Sequence, residues 1–124
     1  MALAFDVAED LSAVVRDPRA LFIGDDIGEA TEEEVEAYLS LLMRWNGKCW
    51  GDTLTNTPPW REIPATYLFC SKDEVLPPEY QARMIKDIRA RGREVDVITI
   101  ETAHSPHWTA TKEVVGAVDK VAAG

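Results

Sequence analysis

Two residues that can take part in proton transfer, Asp73 and His104, each follow a short apolar segment. Residues 67–70 precede the carboxylate and residues 95–100 precede the imidazole, with a helix-length segment between them. Side chains that follow neighbouring parallel strands gather at the carboxyl edge of the sheet, so we expect the two to meet. A carboxylate beside an imidazole fixes its tautomer and stabilises the cation formed during proton transfer. Either residue alone is more often a turn or structural residue, but their order and placement together favour a shared catalytic role.

The segments after residue 60 alternate between strand and helix patterns, which predicts a parallel sheet covered on both faces. Residues 63–70 and 95–100 are the predicted strands, a helix begins after Pro77, and a last helix begins near Thr109 or Thr111. Both helices carry apolar stripes that we expect to be buried: Tyr80, Met84, Ile85 and Ile88 in the first, and Val114, Val115, Val118 and Val121 in the last. So few strands leave long unpaired edges, which predicts a homo-oligomer or pairing with another segment.

The first half of the chain has a different pattern. Residues 1–30 predict a β-rich arm with a hairpin between 4–8 and 12–16. Thr31 and Glu34 predict a capping box at the start of an amphipathic helix of about four turns that ends at Gly47. The apolar stripe of this helix comprises Val35, Tyr38, Leu39, Leu42 and Met43. A chain of 124 residues forms one domain, in which we distinguish the arm (1–30), a cap helix with a Trp-rich loop (31–62) and an α/β core (63–124).

Aromatic side chains are concentrated around the loop 46–64 and after the histidine. We predict that these side chains contact an apolar substrate: Trp45, Trp50, Trp60, His107 and Trp108. An equally good interpretation of the loop tryptophans is that they fix an irregular segment to the core. The sequence does not separate these two interpretations.

Composition excludes several classes of partner. A net charge of −9 and a pI near 4.6 argue against nucleic acid and anionic membrane surfaces, because both require a basic footprint. The chain contains no apolar run long enough for a membrane span. Cys49 and Cys70 form no disulfide framework, and no metal-ligand spacing surrounds Cys49, so we predict no metal site. The apolar start of the chain is too short for a signal peptide and lacks basic residues, which predicts a cytoplasmic location. We also predict no cofactor.

The residues 70–77 (CSKDEVLP) followed by 103–106 (AHSP) resemble the acid and histidine loops of the α/β-hydrolase superfamily. The pattern is most similar to the branch that contains esterases, lactonases and hydroxynitrile-lyase-like proteins. Residues 16–25 and 60–68 resemble the segments that enter and leave the cap in that branch, so the resemblance extends from about residue 5 to 123. It implies a partial α/β-hydrolase fold, a short parallel sheet with flanking helices plus an α-helical cap segment. It also implies that Asp73 is the triad acid and His104 the base.

The sequence departs from the family pattern at the nucleophile. None of the serines, which are Ser12, Ser40, Ser71 and Ser105, lies in the G-x-S-x-G setting of the family nucleophile. The glycine-rich oxyanion loop is also absent from the sequence, Ala103 stands where glycine is common, and His107 replaces an apolar residue. Ser105, adjacent to His104, is interpreted as a turn or helix-cap residue.

The sequence is compatible with three functions. The first is hydrolysis of an ester, thioester or lactone, with the serine supplied by a complementing N-terminal half. The second is serine-independent general-base catalysis by His104 and Asp73, as in a lyase, dehydratase or cyclase. The third is a non-catalytic remnant that oligomerises and binds a ligand. The expected ligand is a small apolar ester- or polyketide-like molecule.

Overall fold

A computed structural model describes residues 4–123. The first part is a small antiparallel sheet of β1 (Phe5–Val7), β2 (Ser12–Val15) and β3 (Trp45–Asn46), in the order β1-β2-β3. β1 and β2 pair with Phe5 opposite Val15, which confirms the predicted hairpin. β3 comes from beyond the cap helix, so the arm and the cap segment share one sheet.

The cap helix α1 (Glu32–Ser40) begins as predicted. The Thr31 hydroxyl accepts the N–H of Glu34 at 3.2 Å, and the Glu34 carboxylate accepts the N–H of Thr31 at 2.8 Å. This reciprocal pair lowers the pKa of Glu34, chiefly because the carboxylate accepts the Thr31 N–H. The predicted capping box is therefore confirmed.

The predicted end of this helix at Gly47 is wrong, because α1 has nine residues and ends at Ser40. Trp45 pairs with Ala13 in the sheet, and strand pairing of that residue is incompatible with a continuing helix. Gly47 has another role: its N–H donates to the carbonyl of Leu11 at 2.8 Å, and a Cβ there would lie 2.7 Å from that oxygen. Beyond the helix, Leu41 and Met43 are exposed.

The second part contains β4 (Ala65–Cys70), α2 (Pro78–Ala90), β5 (Val95–Ile100), α3 (Pro106–Thr109) and α4 (Thr111–Ala122). β4 and β5 pair in parallel, from Ala65 opposite Val95 to Cys70 opposite Ile100, which confirms the predicted parallel sheet. A groove on one sheet face runs between Phe69 and Ile85 of α2, and a groove on the other face runs between Leu68 and Ala117 of α4. Shorter helical turns span Arg19–Ile23, Gly47–Gly51 and Pro59–Arg61.

The predicted buried stripes of α2 and α4 are wrong in part. On α2, Ile85 is buried, but Tyr80 and Met84 are exposed and Gln81 is buried in their place. On α4 the buried residue is Ala117, whereas Val115, Val118 and Val121 are exposed. The parallel sheet has two strands within residues 4–123, so α2 and α4 each have only a narrow apolar surface to cover. In the same range, no helix is both long enough and apolar enough to cross a membrane.

Candidate active site

The acid loop holds the Asp73 carboxylate through its own backbone. β4 ends at Cys70, and the chain then turns so that Oδ1 of Asp73 accepts the N–H groups of Val75 and Leu76, both at 2.9 Å. An aspartate that bonds the backbone two and three residues ahead stabilises a turn locally. The Asp73 residue is 5% exposed. The second oxygen, Oδ2, is therefore directed by a turn that the loop itself forms.

The structure places Asp73 and His104 in contact. Nδ1 of His104 lies 2.9 Å from Oδ2 and 3.1 Å from Oδ1 of the aspartate. With Nδ1–H donating to the carboxylate, the lone pair of neutral His104 is on Nε2, which is the arrangement a general base requires. The two loops are joined to each other as well, because the N–H of Lys72 donates to the carbonyl of Thr102 at 3.0 Å.

The segment before the cap supports the histidine. The ring of Phe22 stacks on the imidazole of His104 with the centroids 5.6 Å apart, and the carbonyl of Phe22 accepts the N–H of Ser105 at 3.0 Å. The side chain of His104 remains 36% exposed. One face of the imidazole is therefore packed, while the side chain keeps contact with solvent.

Ser105 is enclosed beside the histidine. The residue is 1% exposed, and its Oγ lies 3.2 Å from the hydroxyl oxygen of Tyr38 on α1. It directly precedes α3, and its carbonyl accepts the N–H of Trp108 at 3.0 Å. This geometry suits a turn residue that joins the cap helix to the histidine loop, and it leaves no room for a substrate at Oγ.

A cleft of about 730 Å³ lies next to Asp73. The turn at Arg19–Ile23 and the acid loop form its walls, with Leu21, Ile23 and Ala103 among the apolar lining residues. Its rim is charged: Lys72 Nζ lies 3.1 Å from Glu101 and 3.6 Å from Asp26. The hydrogen bond to Glu101 is the main cause of a raised pKa at Lys72, which keeps that ammonium charged.

A sequence model described as the alpha/beta hydrolase family matches residues 2–117. The chain belongs to the α/β-hydrolase family. Among solved structures, a pyrethroid hydrolase, PytH, superposes with a TM-score of 0.73 at 19% identity, over 98% of this chain and 47% of that one. A His-to-Ala variant of PytH gives a TM-score of 0.72 at 18% identity, with the same coverage. These likenesses show the fold, which is the partial α/β-hydrolase fold that the sequence predicts.

A curated relative matches a shorter part of this α/β-hydrolase chain. "Probable hydrolase R7" from Phoma sp. is 41% identical over 49 residues, which are 39% of this chain and 20% of the relative. The chain spans about half the length of the solved structures it matches and aligns with a fifth of this relative.

The predicted substrate-contacting aromatic residues of this α/β-hydrolase lie in three places. The rings of Trp45 and Trp50 lie 5.4 Å and 5.3 Å from the ring of Phe5 on β1, and 5.9 Å from each other. Trp60 lies beneath the Arg61 guanidinium at 5.6 Å. The contacts of Trp45 and Trp50 favour the interpretation that these tryptophans fix the irregular segment.

His107 and Trp108 form the third place, around the ring of Tyr38. Their centroids lie 5.8 Å and 5.1 Å from it, respectively. Partial burial, followed by the charge of His104, lowers the pKa of His107. Within residues 4–123, none of the five predicted aromatic residues lines the cleft beside Asp73.

Gln81 is a residue of the site region that the sequence analysis did not identify. It is 1% exposed, and its side chain bonds the acid loop. The sequence contained one signal for a role of Gln81. The residue stands one helical turn before Ile85 and two before Ile88, which places its polar side chain on the buried face of the helix. Within the part of the chain that the structure describes, no three His, Cys, Asp or Glu residues are grouped to hold a metal.

Proposed function

We propose that this chain provides the acid and the base of an ester-bond hydrolase. The observation that supports the proposal is the 2.9 Å contact between Nδ1 of His104 and Oδ2 of Asp73, which leaves Nε2 as the proton acceptor. The nucleophilic serine and the oxyanion donors would come from a complementing N-terminal half of the α/β-hydrolase fold. That half would be a further segment of the same protein or another chain.

In this mechanism His104 acts twice. Nε2 first takes the proton of the serine hydroxyl as that oxygen attacks the acyl carbon, and it then returns the proton to the leaving alkoxide or thiolate. In the second half-reaction water attacks the acyl carbon, and the same nitrogen takes the proton of that water. The bond from the acyl carbon to the serine oxygen breaks, Nε2 returns the proton to the serine oxygen, and the acid leaves. Asp73 stays ionised throughout and stabilises the imidazolium. The substrate class we propose is an ester, thioester or lactone of a small apolar, polyketide-like molecule.

A serine-directed fluorophosphonate probe tests this function. The chain is co-expressed with an N-terminal α/β-hydrolase half that carries G-x-S-x-G, and labelling of that serine is measured. We expect labelling with the unchanged chain, and loss of labelling with His104→Ala and with Asp73→Asn. Asp87→Asn, which alters an exposed carboxylate on α2, is the matched control and should label normally. Labelling that persists without His104 would refute the proposed role of the base.

A second candidate is general-base catalysis without a serine, because the Asp73–His104 pair is complete within this chain. Proton abstraction from an apolar carbonyl compound, as in a lyase, dehydratase or cyclase, needs a base but no acyl-enzyme. The two candidates differ in their dependence on serine. Turnover that is abolished by His104→Ala but survives replacement of each serine, with no probe labelling, would favour this second function.

The third proposal is a non-catalytic function. Like the first proposal, it requires that the chain associate with another polypeptide. We propose that the chain associates with a second copy or with the complementing half. The exposed valines 115, 118 and 121 on α4 support association, because they leave an apolar stripe in water. Light scattering coupled to size exclusion measures the mass directly. A monomer that does not bind the complementing half would contradict association, and a phenotype independent of both Asp73 and His104 would favour the non-catalytic function.

A further inference from the structure

The side-chain amide of Gln81 is enclosed between α2 and the end of β4. Its Oε1 accepts the N–H of Cys70 at 3.0 Å, and its Nε2 donates to the carbonyls of Cys70 at 2.9 Å and Leu76 at 2.8 Å. Three hydrogen bonds from one amide that is 1% exposed form a fixed connection. The amide bonds Cys70 as the peptide group of a neighbouring strand would, through both its N–H and its carbonyl.

The two residues that Gln81 binds stand at the two ends of the acid loop. Cys70 is the last residue of β4, Leu76 follows the turn, and Asp73 lies midway between them. Leu76 connects the hydrogen bonds of Asp73 to those of Gln81. Its N–H donates to Oδ1 of Asp73, while its carbonyl accepts from Nε2 of Gln81. A change in the separation of the loop ends would therefore move the carboxylate.

We propose that Gln81 is a positioning residue that sets the direction of the Asp73 carboxylate toward His104. It does so by holding the separation of Cys70 and Leu76, without contact with the substrate. The catalytic importance of this arrangement rests on the proposed hydrolase function, whereas the geometric effect is measurable in the chain alone.

The proposed measurement is the tautomer of His104, observed by long-range ¹H–¹⁵N NMR of the imidazole at a pH where the ring is neutral. The unchanged protein should show Nδ1–H, because Asp73 accepts from that atom. Gln81→Met keeps the length of the side chain and removes all three hydrogen bonds. We expect this variant to lose the Nδ1–H signal in favour of Nε2–H, as Asp73→Asn should.

Ile85→Ala is the matched control for lost stability. Ile85 is buried on the same face of α2, one turn beyond Gln81, and it is an apolar residue with no hydrogen bond to offer the acid loop. We expect this variant to unfold more easily and yet to keep the Nδ1–H signal. If Gln81→Met does not fold, Gln81→Asn decides the question, because its amide keeps a donor and an acceptor in the buried site but is one methylene too short to bond Cys70 and Leu76 together.

The possible outcomes separate this inference from the proposed function. Retention of Nδ1–H in the folded Gln81 variant, with its loss in Asp73→Asn, would show that Gln81 is structural only and would overturn the inference. Loss of the signal in a chain that never supports serine labelling would uphold the inference while the hydrolase proposal fails. In an active complex, misplacement of the carboxylate should lower kcat by up to about 100-fold and leave KM nearly unchanged.

Discussion

Asp73 should have a structural role that is separable from its chemical one, and two substitutions separate them. Asp73→Ala removes Oδ1 from the N–H groups of Val75 and Leu76 and removes Oδ2 from His104. Hydrogen bonds to a charged group contribute about 1.5–3 kcal/mol each. Three of them at the lower value give about 4.5 kcal/mol, and water from the adjoining cleft offsets part of this loss. We therefore expect the free energy of unfolding to fall by about 3 kcal/mol.

Asp73→Asn keeps the turn and alters the pair. The asparagine Oδ1 still accepts from Val75 and Leu76, while its NH₂ faces Nδ1 of His104, so the imidazole must move its proton to Nε2. We expect a loss of only about 1 kcal/mol in the free energy of unfolding. The wrong tautomer should nevertheless remove nearly all activity of an assembled hydrolase, since this loss is about 10⁴-fold in a Ser-His-Asp triad.

Urea unfolding followed by circular dichroism and tryptophan fluorescence measures both variants. With a denaturant slope of about 1–3 kcal/mol per molar urea, the Ala variant should unfold roughly 1–3 M earlier than the unchanged chain. Asp87→Ala on the exposed face of α2 is the control and should shift the midpoint very little. Equal losses for Asp73→Ala and Asp73→Asn would refute the reasoning, because they would mean that the two turn bonds contribute nothing.

Three further changes test other parts of the structure. Thr31→Ala removes the helix cap and should cost about 1 kcal/mol in thermal unfolding, and an unchanged melting temperature would contradict the capping box. Gly28→Ala should lower the free energy of unfolding by more than about 2 kcal/mol, because φ is +57° and the new Cβ would lie 2.0 Å from the carbonyl oxygen of Thr109. A folded variant of full stability would refute that close approach. Burial lowers the pKa of His107, so the unfolded chain binds more protons and stability should fall as the pH drops below about 6.5. His107→Gln should flatten this dependence in melting curves recorded against pH, and an unaltered slope would assign it to other groups.

The Asp73–His104 contact was predictable from the sequence because each residue follows a strand pattern, and the order of the elements indicates that the two strands are parallel neighbours. A strand sets the position of each loop, and parallel strands in register bring their carboxyl ends together. Asp73 then fixes its own turn through residues two and three positions ahead. The capping box of Thr31 and Glu34 was predictable for a local reason, since both partners lie within one helical turn.

The features that the sequence did not predict depend on contacts between distant segments. Nothing near Ser40 in the sequence ends α1 there; the helix ends early because Trp45 is held by Ala13, more than thirty residues before it. The role of Gln81 depends in the same way on the carbonyls of Cys70 and Leu76, which a helix-periodicity argument does not consider. Periodicity identifies the face of a helix that is buried, but it does not identify the partner of a polar residue on that face.

The valines of α4 are a case in which helical periodicity predicts burial and the structure shows exposure. Val115, Val118 and Val121 recur at helical spacing, and that pattern predicts a buried face, yet the structure leaves them exposed beside the groove that Leu68 lines. Periodicity shows which face of a helix is apolar, whereas burial depends also on whether a partner surface is present to cover that face. The disagreement is therefore informative: it occurs on α4 and on α2, which flank the two-stranded sheet, and not at the Asp73–His104 contact, where both partners are present. Association with a complementing half would cover the exposed stripe and would supply the nucleophile that the proposed hydrolysis requires.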